Sequence, residues 1–267
     1  MEPFQAAAIQ MVSTPVVAEN LASAGRLVHE AAERGARLVV LPEYFCILGA
    51  HERDKVAVRE HDGEGPIQHF LAETARRERI WLAGGCVPLV SDLPDKVRSG
   101  LLVYDHTGQR IARYDKMHLF GFESGNERYR EANTIDPGDT PMAIDTPFGR
   151  IALSICYDVR FPEFYRGLGV VDLILVPSAF TATTGRAHWE VLLRARAIEN
   201  QAYVIAPAQG GHHPNGRQTH GHTMIIDPWG VIRAEQATGE AVVLADIDPA
   251  ELRRVRASLP ALEHRRL

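Results

Sequence analysis

Short apolar runs and amphipathic stretches alternate along most of this chain. Phe4 to Gln10 predicts a strand. Ala18 to Glu33 predicts a helix, because Leu21, Ala24, Val28 and Ala31 share one face and Gly35 follows as a stop signal. Leu38 to Leu41 reads as a second strand. Ile67 to Arg77 reads as a helix with Ile67, Phe70, Leu71 and Ala75 inward and Thr74 at the edge of that face. Ile80 to Cys86 is strand-like. Gly100–Asp105 and Arg110–Lys116 form a hairpin pattern around His106-Thr107-Gly108. Residues His118 to Asp139 then lose periodicity, which predicts a functional or mobile loop.

The alternation resumes with a second hairpin, Met142–Asp145 against Arg150–Cys156, through Thr146-Pro147-Phe148-Gly149. A short helix is predicted over Phe161–Leu168, a buried strand over Val171–Val176, a strong helix over Ala187–Asn200 and a strand over Ala202–Ala208. Thr223–Asp227 and Val231–Glu235 flank the turn Pro228-Trp229-Gly230. Ala241–Ile247 is the last strand and Ala250–Ser258 the last helix. Roughly ten to twelve strands and five to six helices make an α/β protein with an unusually large strand share. Many strands are apolar throughout, so both sheet faces are expected to be covered. Mixed hairpins and crossovers predict two packed sheets with helices outside. No linker, repeat or low-complexity segment interrupts residues 1–267, which read as one domain.

Composition narrows the partners. A formal net charge of −5 disfavours nucleic acid and anionic membrane surfaces, which call for a basic face. No apolar run is long enough to span a bilayer, and Met1-Glu2-Pro3-Phe4 lacks the features of a signal peptide. Three cysteines, an odd number without paired spacing, do not make a disulfide framework. A reducing, cytoplasmic setting is expected.

Chemistry concentrates at three strand exits. Arg37-Leu38-Val39-Val40-Leu41-Pro42 delivers Glu43, Arg110-Ile111-Ala112-Arg113-Tyr114-Asp115 delivers Lys116, and Arg150-Ile151-Ala152-Leu153-Ser154-Ile155 delivers Cys156. Hydrolysis of an amide needs a nucleophile, a base for its proton and a positive or N–H-lined site for the oxyanion. Cys156 can attack, Glu43 can carry the proton, and Lys116 with the backbone N–H of Tyr157 can hold the anion. Singly, each residue also fits a core thiol or a solvated loop position; the first is the expectation for Cys46 and Cys86.

The segments Leu41-Pro42-Glu43, Asp115-Lys116-Met117-His118-Leu119-Phe120 and Ile155-Cys156-Tyr157-Asp158-Val159-Arg160-Phe161-Pro162-Glu163 closely resemble the three signature segments of the nitrilase superfamily of carbon–nitrogen hydrolases. The resemblance runs from the first strand to the C-terminus. It implies a four-layer α-β-β-α sandwich of two mixed sheets packed face to face, commonly dimerised. It also implies Glu43 as base, Lys116 as oxyanion stabiliser and Cys156 as nucleophile through a thioester. Glu131, in Arg130-Glu131-Ala132-Asn133, resembles a second glutamate of the family that holds the lysine or positions the amide; Glu123 and Glu127 are nearby alternatives.

Downstream, Pro177-Ser178-Ala179-Phe180, Thr184-Gly185, Ala187 to Glu199, Ala208-Gln209, Gly211-His212, Gly221-His222 and Asp227-Pro228-Trp229-Gly230 resemble the Nit-type amidases. Deaminated-glutathione amidases fit better than ω-amidases, which act on α-ketoglutaramate. Nitrile hydrolysis, N-carbamoyl hydrolysis and a non-catalytic binding or assembly role are the alternatives. The implied substrate is a small amide with an anionic end. Arg160, Phe180 and Thr184 would line its pocket by the same resemblance. For each there is a structural alternative: an ion pair of Arg160 with Asp158 or Glu163, core packing of Phe180, and capping by Thr184 of a helix beginning near Arg186. The stretch Gly121 to Tyr129, Asn126 included, departs from the Asp-rich sequence associated with Nit-type amidases. His212, His213, His220 and His222 have no carboxylate or cysteine at a zinc spacing, and Gly63, Gly65 and Gly108 no following Gly-Lys-Ser/Thr, so neither metal nor other cofactor is expected.

Overall fold

The computed structural model describes residues 1–125 and 127–266; Asn126 lies outside them. The first half comprises β1 (Phe4–Gln10), α1 (Val17–Glu33), β2 (Ala36–Val40), α2 (Asp54–Ala57), α3 (Pro66–Glu78), β3 (Trp81–Val90), β4 (Val97–Tyr104) and β5 (Arg110–Asp115). A small hairpin, β6 (Gly121–Ser124) with β7 (Glu127–Arg130), leads to a 3-10 turn, Glu131–Asn133. The second half comprises β8 (Met142–Thr146), β9 (Gly149–Leu153), a 3-10 turn Cys156–Arg160, α4 (Pro162–Gly167), β10 (Leu173–Leu175) and α5 (Ala182–Asn200). It continues through β11 (Tyr203–Ala206), β12 (Thr223–Ile226), β13 (Ile232–Gln236), β14 (Ala241–Ile247) and α6 (Pro249–Ser258).

Two six-stranded sheets result, in the orders β14-β1-β2-β3-β4-β5 and β13-β12-β11-β10-β9-β8. Strands β1, β2 and β3 are parallel, as are β9, β10 and β11; the flanking pairs are antiparallel. Although no repeat shows in the sequence, both sheets follow the same succession of parallel and antiparallel pairs. Strand alternation sorts the core. Ala6, Ala8, Leu38 and Val40 pack into the cluster that holds Leu173, Leu175 and Val204 of the second sheet. Ala7, Ile9, Val39 and Leu41 point the other way, against Ala24, Leu27, Val28 and Ala31 of α1 and Ile67 and Leu71 of α3. The second sheet is covered by Phe164 and Tyr165 of α4 and Trp189, Leu193 and Ala197 of α5. Each fully buried Leu, Ile or Val contributes about 1.5–3 kcal/mol relative to an exposed one. The architecture is α-β-β-α, as the resemblance implied. Among the described residues no helix is long and apolar enough to cross a membrane.

The element bounds differ from expectation where tertiary contacts override local pattern. The stretch 118–139 contains the β6–β7 hairpin, stitched by backbone pairing and by Phe120 against Tyr129 (5.7 Å between ring centres) rather than by an apolar stripe. Helix α5 begins at Ala182, ahead of the expected Ala187, because Thr181 caps it: its side chain accepts from the Thr184 N–H at 3.2 Å. Thr184 therefore does not cap the helix. Strand β9 stops at Leu153, and Cys156 opens a 3-10 turn instead of ending the strand. Strand β3 runs on to Val90 through an irregularity between Gly84 and Val87.

Candidate active site

The carboxyl ends of β2, β9 and β10 open on one side of the sandwich, the position where parallel sheets bind ligands. Glu43 follows β2 across Leu41-Pro42. Gly85 of β3 allows that crossing, since a Cβ there would lie 1.8 Å from the Pro42 carbonyl oxygen. Tyr44 adopts φ +58, a left-handed conformation costing about 1–2 kcal/mol for a non-glycine residue. The buried Glu43 accepts the Ala179 N–H at 2.9 Å on Oε2, and its backbone carbonyl accepts Gln209 Nε2 at 3.0 Å. Gln209 is itself held by the Ser13 N–H at 3.0 Å and donates to Ser13 Oγ at 2.8 Å.

Lys116 leaves β5 with its N–H on the Ser99 carbonyl and its own carbonyl taken by Gly138 N–H. The side chain is fully buried. Its ammonium donates to Glu43 Oε1 at 2.7 Å and to both oxygens of Glu131, at 2.9 and 2.7 Å. Glu131 also accepts the Tyr44 hydroxyl at 2.9 Å and the Phe120 N–H at 2.7 Å. Burial alone would pull the Lys116 ammonium down, but Glu131 and then Glu43 outweigh it and hold its pKa well above the ordinary lysine range. Burial pushes Glu43 up, opposed by Lys116 and reinforced by the negative Glu131. Burial acts likewise on Glu131, but Lys116 and the Phe120 N–H overcome it and leave that carboxyl low. Glu131 is thus a fixed anion, and Glu43 the carboxylate of the pair readier to take a proton. Glu123 faces Arg128 at 3.8 Å and Glu127 accepts from Thr183 Oγ1 at 2.9 Å, so neither competes for Lys116.

Cys156 sits at φ +48, its N–H on the Pro177 carbonyl at 2.9 Å. Asp158, fully buried, fixes this elbow. Its Oδ2 accepts the Ile155 N–H at 2.8 Å and the Tyr114 hydroxyl at 2.7 Å; its Oδ1 accepts the His118 N–H at 3.1 Å and His118 Nδ1 at 2.7 Å. One carboxylate thereby joins the segment that carries Lys116 to the turn that carries Cys156. Burial, then the charge on Glu43, raise the Cys156 thiol well above its ordinary range, while Lys116 and the Ala179 N–H act against them. The resting sulfur is a thiol. Tyr157 is the second residue of the 3-10 turn, where backbone N–H groups have no partner within the turn.

Glu43, Glu131, Cys156, Tyr157, Phe180 and Thr184 line one cavity together with Tyr44, Phe120, Ala179, Thr181 and Arg217. Phe180 also packs on Trp189 at 4.8 Å, and Thr184 shares a hydrogen bond of 2.9 Å with Thr181. Arg160 does not line the cavity. It lies behind the aromatic wall, 5.3 Å from the Phe180 ring centre and 5.7 Å from that of Tyr157, with Nη1 3.3 Å from His188 Nδ1. Among the described residues it pairs with no carboxylate, so the ion pair weighed for Asp158 or Glu163 is absent, Asp158 being committed to His118 and Tyr114. Cys46 and Cys86 are buried core residues, the Cys46 thiol on the Cys86 carbonyl at 3.4 Å. His213 bonds the Ser13 carbonyl and Thr219, and His220 stacks on His222 at 4.3 Å. The sequence reading missed Tyr44, Asp158, Gln209 and the Ala179 N–H. Tyr44 and Asp158 neighbour residues already singled out, but nothing local marks their partners.

Residues 5–257 match the carbon-nitrogen hydrolase family. The chain belongs to that family, within the nitrilase superfamily. It is 44% identical over 272 residues to the deaminated glutathione amidase of Synechocystis sp. (strain PCC 6803 / GT-S), with 99% of each chain covered. Its backbone matches the C. elegans NitFhit protein with a TM-score of 0.91 at 37% identity, over 100% of this chain and 66% of that longer one. A mutant of the amidase from Nesterenkonia sp. AN1, which shows acrylamide added to its active site cysteine, matches with a TM-score of 0.80 at 25% identity, over 96% of this chain and 98% of that one.

Proposed function

We propose that this protein is an amidase that cleaves the carbon–nitrogen bond of deaminated glutathione through a thioester on Cys156, with residues 1–267 acting as one domain. The observation that carries the reading is the Lys116 ammonium clamped between Glu43 and Glu131, two carboxylates that line one cavity with the left-handed Cys156. Glu43 takes the thiol proton as sulfur attacks the amide carbon. The carbonyl oxygen becomes an oxyanion facing the Tyr157 N–H and the Lys116 ammonium, one of whose N–H groups turns to it from the doubly contacted Glu131. Losing one such donor costs about 3–4 kcal/mol of barrier stabilisation. On collapse the C–N bond breaks and Glu43 hands its proton to the departing amine. Water then attacks the thioester while giving a proton to Glu43, the C–S bond breaks, and that proton returns to sulfur. The high thiol pKa and the raised Glu43 pKa make this transfer part of the attack rather than a prior ionisation.

The name borne by the full-length relative supports the substrate. Phe180 and Thr184 form the wall beside the acyl group, and Arg160 places positive charge behind it for an anionic end. Incubation with deaminated glutathione and with α-ketoglutaramate, followed by mass spectrometry, tests the reading. Faster release of cysteinylglycine from the first supports it, and turnover retained by Cys156→Ala overturns it. Two copies associate, in this reading, through the exposed apolar residues Val191, Ile198, Trp229 and Val231 along α5 and the neighbouring turn; analytical ultracentrifugation distinguishes dimer from monomer. Three free cysteines fit a reducing, cytoplasmic setting, and neither nucleic acid nor membrane is a partner.

A further inference from the structure

The reacting groups lie at the bottom of a cavity with an anteroom. Tyr44, Phe120, Glu131 and Arg217 line both the inner cavity and a wider outer chamber. The inner cavity is the tighter of the two, about 20 Å³ against about 240 Å³ for the outer chamber. An amide group fits the inner space, and the bulk of any peptide-sized substrate has to lie in the outer one.

The outer chamber is walled by cations with unspent donors. Arg217 stacks on Tyr129 at 5.4 Å, and its guanidinium has neither a hydrogen-bond acceptor nor a carboxylate partner among the described residues. Lys55 donates to Thr134 Oγ1 at 3.1 Å and lies over the Tyr44 ring at 5.5 Å, again with no carboxylate in contact among the described residues. Burial pulls the Lys55 ammonium below its ordinary range, a cost that a bound anion offsets. Arg128 adds to this side; Glu52 opposes it, and Glu131 is committed to Lys116.

We infer that Lys55 and Arg217 form a subsite for a carboxylate on the amine half of the substrate, which makes them specificity-determining residues for an acyl-peptide over a primary amide. The direction follows from the proton path. Glu43 protonates the departing nitrogen, and Tyr44, the next residue, forms the waist between the two spaces, so the amine half extends outward past Tyr44 toward Arg217. An arginine fork and an ammonium suit a terminal carboxylate. An ω-amide such as α-ketoglutaramate releases ammonia and has no amine-half carboxylate for this subsite.

The inference rests on the amidase reading, and the test separates the two. Initial rates are measured for the wild type, Lys55→Met, Arg217→Met and Arg217→Lys on deaminated glutathione, on the same molecule with its terminal carboxyl amidated, and on α-ketoglutaramate. Each Met variant is expected to raise KM for the free acid by roughly 10- to 100-fold, the usual worth of a charge-assisted hydrogen bond. The ratio of kcat/KM for acid over amidated peptide should collapse, and Arg217→Lys should restore part of it. Equal losses on all three substrates, or an unchanged ratio, overturn the inference. Wild-type turnover of α-ketoglutaramate with deaminated glutathione left intact refutes the substrate reading instead. Binding of acid and amidated peptides to Cys156→Ala then decides the chamber alone: tighter binding of the acid, lost in Lys55→Met and Arg217→Met, sustains it, and equal affinities overturn it.

Discussion

Replacing Lys116 with Met tests whether the ammonium holds the site together as well as serving the reaction. The substitution keeps length and apolar stem but leaves Glu43 and Glu131 facing each other with no cation between them. Both oxygens of Glu131 and one of Glu43 lose a partner at 2.7–2.9 Å. Removing one member of a buried ionic cluster costs about 3–5 kcal/mol. In a chain of this size about 1 kcal/mol moves Tm by roughly 2–4 °C, so a fall of about 6–20 °C is expected at pH 7. With the cation gone, burial raises both carboxyls above their unfolded values. The folded state then binds protons more tightly than the unfolded state, so its stability falls as pH rises through and above the ordinary carboxylate range. The deficit relative to wild type should therefore be largest near neutrality and shrink toward pH 5. The double variant Lys116→Met/Glu131→Gln should regain part of the loss, with a coupling of at least about 1 kcal/mol. Calorimetry and urea unfolding across pH measure all of this. A deficit independent of pH, or a double variant showing simple additivity, would refute the view of Lys116 as the counter-ion of two buried carboxylates.

Other perturbations read separate parts of the site. Gly85→Ala forces the Pro42 carbonyl away from a Cβ otherwise 1.8 Å distant; displacing Glu43 by about 1 Å should lower kcat by around 100-fold, read from initial rates. Asp158→Asn leaves one of the two His118 donors or the Ile155 N–H facing an amide NH2; unfolding titrations should show a loss of about 1–3 kcal/mol, and kcat should fall with it. Iodoacetamide should label Cys156, which opens on the cavity with Glu43, ahead of Cys46 and Cys86, which are packed in the core, and Glu43→Gln should slow the labelling of Cys156 by removing its proton acceptor. Mass spectrometry of tryptic peptides reports all three cysteines, and equal labelling would contradict the assignment.

The layered fold was legible because short continuous apolar runs mark buried strands such as Phe4–Gln10 and a period of 3.6 marks helices such as Val17–Glu33. The three strand exits were legible for the same reason. The β6–β7 hairpin was not: Gly-Phe-Glu-Ser and Glu-Arg-Tyr-Arg carry no apolar face, and aromatic contacts with Phe120 define them instead. The start of α5 was hidden because Ala182-Thr183-Thr184-Gly185 is a weak helix former that depends on the Thr181 cap. Asp158, Gln209 and Arg217 acquire meaning only when remote segments meet. Asp158 bonds residues of β5 and the Lys116 segment, Gln209 reaches Ser13 and the Glu43 carbonyl, and Arg217 meets Tyr129.

The matched pairing pattern of the two sheets has a consequence for synthesis of the chain. The second sheet is completed by the strand that opens its own half, β8. The first borrows its sixth strand from the far end: β14 pairs with β1 from Phe4–Ile247 through Gln10–Ala241. Until the ribosome has passed Ile247, the alanine-rich β1 is an unpaired border open to other nascent chains. The opening residues thus wait for nearly the whole polypeptide before their backbone is satisfied, and a release upstream of Ala241 yields a product with an adhesive flank.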